Sequence, residues 1–277
     1  MDELVLEPGR AEKNYWRDLW RYRELFYFLA WRDILVRYKQ TVIGIAWAVI
    51  RPFLTMIIFT VIFGKVAQMP APTGIPYALL VFAAMLPWQF FATAMSESSN
   101  SLVGNANLIS KIYFPRLIVP AGAVITAFVD FLITLGLMAL LMAWYGFAPD
   151  WRLCLLPGYM LLALGASFGL GMWLCALNVK YRDFRYIIPF VVQFGLYASP
   201  VGFSSQAIHD KVGDRLFMLY SLNPMVGVID GFRWSLLRGE VAFEASTFGT
   251  SVVVTALLVV SGTWYFRKVE RTFADVI

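Results

Sequence analysis

The chain has 277 residues, 60% hydrophobic and only 15% charged, with a net charge of +5. That balance, with several uncharged runs of 17 residues or more, excludes a soluble globular domain and describes a polytopic membrane protein. The two cysteines, Cys154 and Cys175, share one apolar run; as helix they would sit roughly 30 Å apart, beyond disulfide reach.

Residues 12–40 predict an amphipathic helix. On a helical wheel Trp16, Leu19, Trp20, Tyr27, Ala30, Trp31, Ile34 and Tyr38 share one face, while Arg17, Asp18, Arg21, Arg32 and Lys39 gather on the other. Such a helix is expected either to lie in the membrane plane, rings at headgroup level and cations toward anionic lipid, or to pack as a solvated helix on a partner. This charged, aromatic start does not read as a cleavable signal peptide.

The first span is expected at 43–67, with Arg51 placed to snorkel toward the near interface and Pro52 to kink the helix. The second, at 76–95, is rich in aromatics. Loop 101–116 follows. Asn105 and Asn107 can cap a helix start, Leu108, Ile109 and Ile112 continue at helical spacing, and Pro115 stops the helix. Its apolar face suits either another protein at the membrane surface or the headgroup layer itself. The third span, 117–144, carries Asp130 near its middle. A midplane carboxylate marks either a functional path or a structural site satisfied by Thr126 and Thr134, each four residues away.

The fourth span, 153–177, has a small-residue seam at Gly165, Ser167, Gly169 and Gly171, and a short basic loop, 178–186, follows it. The fifth span, 187–203, is short; the sixth lies at 248–266, ahead of a basic tail. Between them, residues 216–237 are apolar but broken by Asn223-Pro224, with Asp230 and Arg233 beyond. Two half-helices that dip in and return fit this pattern better than a seventh span.

Charge placement orients the chain. The N-terminal segment, the second and fourth loops and the tail hold 16 of the 23 Lys and Arg residues, so both termini are expected in the cytoplasm. The expected fold is an all-α integral membrane protein. It has a cytoplasmic N-terminal segment with an interface helix (1–42), a six-span domain (43–266) and a cytoplasmic tail (267–277). Loops 101–116 and 178–186 face the cytoplasm, and a re-entrant region, 204–247, faces out.

Catalytic chemistry is sparse. The sequence contains no metal-ligand cluster, no Ser/His/Asp set and no GxxxxGK[ST] phosphate loop, and its one histidine, His209, falls in the outer loop. Arg51, Glu97 and Asp130 are fewer intramembrane ionisable groups than an ion-coupled carrier needs. Aromatics are the surplus, at 23 Phe, 13 Tyr and 10 Trp. Most belong in core, lipid-facing or interfacial positions. A minority turned inward would line a conduit on which sugar rings stack through their C–H faces; Phe59, Phe63, Trp88, Phe90, Tyr197 and Phe203 are the candidates.

The run Arg37-Tyr38-Lys39-Gln40-Thr41-Val42-Ile43-Gly44, with Trp47 and Arg51-Pro52 after it, resembles the start of the first span in ABC-2-type permeases that export polysaccharides. The resemblance continues through Tyr113-Phe114-Pro115-Arg116 and Pro120, Lys180-Tyr181-Arg182-Asp183, and Asn223-Pro224 with Arg233 downstream, in order over about residues 30–267. O-antigen exporter permeases and their teichoic-acid relatives are the members it most resembles.

The resemblance implies a homodimer in the bacterial inner membrane, paired with two copies of a separate ABC ATPase. ATP and Mg would sit on that partner, leaving this chain without a cofactor. A coupling helix at about 105–114 would meet the ATPase through Asn105, Leu108, Ile109, Lys111, Ile112, Tyr113 and Phe114, with Arg116 beside it and Tyr181, Arg182 and Asp183 adding contacts. Asn223, Pro224, Asp230 and Arg233 would belong to re-entrant helices gating the outer exit. The substrate would be a polyprenyl-diphosphate-linked polysaccharide rather than nucleic acid, its diphosphate met by Arg32, Arg37 and Lys39 at the cytoplasmic rim. The same fold would serve an exporter of teichoic acid, a small lipid or a drug. A lipid-linked glycosyltransferase would need grouped carboxylates, and here they are scattered.

Overall fold

The computed structural model describes residues 15–39, 46–69, 74–109, 111–112, 114–270 and 273, and every regular element among them is helical. The described residues open with α1 (Tyr15–Arg21) and α2 (Arg23–Lys39), then α3 (Ala46–Phe59), which widens into a π-helical stretch at Thr60–Val66. The central part comprises α4 (Tyr77–Gly104), the single turn α5 (Ala106–Ile109), α6 (Ile118–Trp144) and α7 (Leu156–Lys180), the last entered through a 3-10 turn at Trp151–Leu155. It closes with α8 (Phe184–Tyr197), α9 (Ser205–Tyr220), α10 (Pro224–Leu236) and α11 (Ala245–Val269).

Among the described residues five stretches are long and apolar enough to cross a bilayer: Ala46–Val66, Tyr77–Gly104, Ile118–Trp144, Trp151–Lys180 and Ala245–Val269. The segment expected as a further span, 187–203, holds α8. Its 14 residues reach roughly 21 Å at helical rise, short of a hydrocarbon core of roughly 30 Å. Pro200 ends it early, because the residue before a proline is steered out of helical geometry; turns carry the chain on through 198–203.

The axis of the bundle is α4. In its most apolar window 89% of the residues are buried, against 11% for the first stretch and 22% for the last, and α3, α6, α7, α8 and α10 all pack on it. Ala78, Ala83, Ala84 and Ala94 let those neighbours approach, while Phe82, Met85 and Trp88 fill the gaps between them. The helix runs to Gly104 rather than stopping near 95. Ser99, Asn100 and Ser101 return their side chains to the carbonyls of Met95, Ser96 and Ser98 within the helix, so none of them acts as a cap that ends it.

The small-residue seam of α7 serves two neighbours. A Cβ on Gly169 would stand 2.6 Å from the Leu258 carbonyl carbon of α11, and one on Gly262 only 2.3 Å from the Gly169 oxygen. Gly171 instead faces Ser98 of α4, at 2.9 Å from the same added atom. Among the described residues Cys154 and Cys175 are both free.

The orientation of α2 was not legible from its amphipathic pattern. A Cβ on Gly122 would lie 3.8 Å from the Ala30 nitrogen, and one helical stretch further on Arg37 reaches Asp130 at 2.5 Å. The two helices therefore advance side by side for roughly 11 Å, so α2 is drawn along α6 rather than laid across its end. Leu29 and Ala30 turn inward, as does Tyr15 of α1; Trp16, Trp20, Tyr27, Phe28 and Trp31 face out.

The expected break at Asn223-Pro224 is present. Asn223 caps α10 by accepting the Met225 N–H at 3.0 Å, and Pro224 occupies the first turn, where no donor is required. α10 then packs against α4, α7 and α11. α9 bends at Gly213, whose φ of 73° suits glycine.

Candidate functional site

The turn between α4 and α6 is shorter and more inward-facing than its spacing predicts. Asn105 joins α4 to α5: its carbonyl accepts from the Leu108 and Ile109 N–H groups of that turn, but its side chain is turned elsewhere and caps neither. Its backbone N–H returns to Leu102 and Ser101, its side-chain Nδ2 donates to the Ser101 carbonyl at 2.9 Å, and its Oδ1 accepts from Arg32 at 2.8 Å. It closes α4 and holds α2. Ile109, 6% exposed, and Phe114 bury themselves in a cluster with Tyr15, Leu29, Ile118, Met172, Phe266 and Phe273. Leu108 packs on the same cluster from its edge. The outward apolar side is Ile112, 52% exposed, with Val103, and Lys111 lies beside them. An apolar side chain next to an available core enters it, which is why helical spacing overstated the outward face. Tyr113 lies outside the described residues.

Arg116 is tied to the end of α11. Its backbone N–H donates to Glu270 Oε1 at 2.8 Å and its guanidinium donates to the Glu270 carbonyl oxygen. The loop between α7 and α8 is open: Tyr181, Arg182 and Asp183 are exposed, with the Lys180 ammonium 5.1 Å over the Tyr181 ring.

A cleft of about 260 Å³ opens between α2, α3, α4 and α6, lined by Arg37, Tyr38, Trp47, Arg51, Gln89, Phe90, Thr93 and Asp130, among others. Asp130 is satisfied from α2, where Arg37 forms an ion pair with it at 2.5 Å and the Tyr38 hydroxyl donates to its other oxygen. Arg37 also pairs with Glu97 of α4. Neither threonine one turn away serves the carboxylate. Thr134 donates to the Asp130 and Phe131 carbonyls, and the Thr126 hydroxyl has no hydrogen-bond partner among the described residues. Arg51 places its guanidinium 5.8 Å over the Trp47 ring.

Of the three rim cations, Arg32 donates to Asp33 and Asn105 and Arg37 is held in the cluster just described. Lys39 ends α2 exposed.

The six candidate lining rings separate. Trp88 and Phe90 are buried within the chain, Trp88 against Phe91 and Phe90 against Phe128 and Phe131, although Phe90 also edges the cleft. Phe59 and Phe63 sit 5.4 Å apart, and Phe63 lies so close over Gly202 that an added Cβ would be 2.7 Å from its ring. Phe203 offers its carbonyl to Arg233. Tyr197 alone of the six is fully on a surface. With it on α8 stand Tyr186, Phe190 and Phe194, all exposed, the last two with ring centroids 4.0 Å apart. Sequence inspection does not single these three out, although positions 186, 190, 194 and 197 follow one helical face.

At the far end of the bundle, Arg233 of α10 is fully buried and donates to the carbonyls of Leu80 at 3.1 Å, Val201 at 2.8 Å and Phe203 at 2.8 Å. Asp230, one turn earlier, is also buried, and its Oδ1 has no hydrogen-bond partner among the described residues. Asn223 Nδ2 donates to Ser199 Oγ at 2.9 Å and the Tyr77 hydroxyl to the Gly202 carbonyl at 2.6 Å. The turn after α8 is thereby fixed to both α4 and α10. Buried charge is tolerated here because every guanidinium nitrogen meets a carbonyl, two of them in the turn after α8.

Among known proteins, residues 24–237 match the family described as ABC-2 type transporter. The chain is 26% identical over 261 residues to an O-antigen export system permease protein RfbA of Myxococcus xanthus, covering 94% of this chain and 98% of that protein. Two proteins of the same description from Klebsiella pneumoniae are 26% and 27% identical over 251 and 250 residues, covering 89% of this chain and 92% of each relative.

Proposed function

The chain belongs to the ABC-2 type transporter family, a multi-pass protein of the bacterial inner membrane, and on that premise we propose that it is the permease of an exporter of lipid-linked, O-antigen-like polysaccharide. ATP and Mg are bound and turned over on a separate ABC ATPase subunit, two copies of which dock on a homodimer of this chain. The docking face is Ile112 with Val103 and Lys111, joined by the open loop at Tyr181, Arg182 and Asp183. In this reading α8 and the turns after it complete a sixth crossing, and both termini lie in the cytoplasm, the side on which Lys and Arg concentrate. The diphosphate end of the substrate enters at the basic end of α2, near Arg32, Arg37 and Lys39.

The aromatic face of α8 carries the reading. Tyr186, Phe190, Phe194 and Tyr197 present four exposed rings along one side. Set opposite the same face of a second copy, they form a wall that is flat, apolar and edged with hydroxyls, suited to the C–H faces of sugar rings. The RfbA relatives, matched nearly end to end, support the polysaccharide class.

The test is removal of the chain from its source cell, with surface polysaccharide and the intracellular pool of lipid-linked polymer measured together. Loss from the surface with accumulation inside is the expected result. Loss from both pools would move the chain to synthesis, and an unchanged surface would remove polysaccharide as the cargo.

A further inference from the structure

We infer that Glu270 is a positioning residue that ties the cytoplasmic turn before α6 to both ends of the chain, so that movement of the turn is delivered to α1 and α11 as well as to α4 and α6. The inference rests on the reading above, in which an ATPase acts on that turn.

The turn is joined to α4 and α6 by the chain itself. α11 has no such link: it packs chiefly on α7 and α10, and Glu270 stands 154 residues from Arg116. Beside the apolar cluster the two share, one side chain joins them by hydrogen bonds. Glu270 Oε1 accepts the Arg116 N–H at 2.8 Å and the Tyr15 hydroxyl at 3.3 Å, while the Glu270 backbone oxygen accepts from the Arg116 guanidinium. The surroundings brace it. Arg116 lies 5.9 Å over the Phe273 ring, Phe273 is fully buried edge-on to Phe266 at 5.4 Å, and Arg267 lies 4.4 Å over the Tyr15 ring.

An ion pair between two long surface side chains would transmit little, because either partner swings freely. Here the carboxylate grips a peptide N–H, so it fixes the course of the backbone at the end of the turn. Its other donor is held as well. Burial, and after it the Glu270 carboxylate, push the Tyr15 phenol above its ordinary range, so it stays protonated and donates. Ile109 and Phe114 of the turn share one cluster with Tyr15, Phe266 and Phe273. A close-packed cluster of this kind shifts as a body rather than deforming.

The test uses the complex of this chain with its ATPase subunit and reads three quantities. These are surface polymer in cells at matched complex levels, ATP hydrolysis by the purified complex, and amide hydrogen exchange at Arg116. Glu270→Ala should leave the complex assembled and hydrolysing, lower surface polymer by at least about fivefold, and speed Arg116 exchange. Glu270→Gln keeps an oxygen that accepts both bonds and should restore surface polymer and Arg116 exchange, with hydrolysis unchanged throughout. Wild-type export from Glu270→Ala overturns the inference, as does a Glu270→Gln variant that fails as completely as the alanine. Should Glu270→Ala not assemble, Tyr15→Phe, which removes one hydrogen bond and little packing, decides: reduced polymer at wild-type hydrolysis supports the link and unchanged polymer ends it. If deleting the whole chain leaves surface polymer unaltered, the export reading fails by itself. Glu270 is then judged on Arg116 exchange, which must speed up in the alanine variant and recover in the glutamine one.

Discussion

The contact between α7 and α11 can be tested with a single methyl group. In Gly262→Ala the new Cβ would fall 2.3 Å from the Gly169 carbonyl oxygen, where ordinary contact begins at 3.4 Å. The obstruction is backbone, not the end of a flexible side chain, so the two helices must separate by roughly 1 Å, which weakens dispersion along the whole seam. Overpacking of this kind costs about 1–3 kcal/mol, offset by about 0.5–1 kcal/mol because alanine orders a helix better than glycine. The purified protein should therefore melt lower by about 2–8 °C, read by loss of the monodisperse peak after heating in detergent. Gly249→Ala on the same helix and Gly136→Ala on α6 are the controls, since nothing lies within 4 Å of either added atom. Both should hold or raise the midpoint through helix propensity alone. A Gly262→Ala protein that melts with these controls would refute the close α7–α11 approach.

Three further outcomes follow from the same geometry. Ile112→Asp should leave the melting midpoint unchanged but weaken co-purification of the ATPase subunit by at least about tenfold, whereas Ile109→Asp should lower the midpoint itself because that side chain is in the core. Arg37→Met leaves the part-buried Glu97 and Asp130 without their shared cation and should cost about 1–3 kcal/mol, between an exposed and a buried pair. Combined with Asp130→Asn it should show a coupling of about 0.5–3 kcal/mol in denaturant titrations; strict additivity would mean the two groups do not interact. Replacing Phe190 and Phe194 together by alanine should reduce export while stability stays within about 0.5 kcal/mol and ATP hydrolysis persists. Undiminished export would remove α8 from the conduit.

The class of the protein, five of its long helices, the break at Asn223-Pro224 and the family were all legible in the residues. The reasons are local. A bilayer demands length and apolarity of every crossing whatever surrounds it, and Asn followed by Pro starts a helix by its own chemistry. The partners of Asp130 were not legible, because sequence offers only neighbours one turn away, Thr126 and Thr134, while the groups that bind it come from α2, with Tyr38 92 residues distant. Ile109 failed in the same way: its spacing marks an apolar face, but only the arrival of Tyr15, Phe266 and Phe273 from the two ends of the chain turns that face inward. The rings of α8 show the limit most clearly. Their spacing is plain in the sequence, but lipid, core and partner are equally apolar solvents for them, so periodicity cannot say which one they face. That choice, and the grip of Glu270 on Arg116, depend on which distant segments pack side by side, and only the tertiary structure decides it.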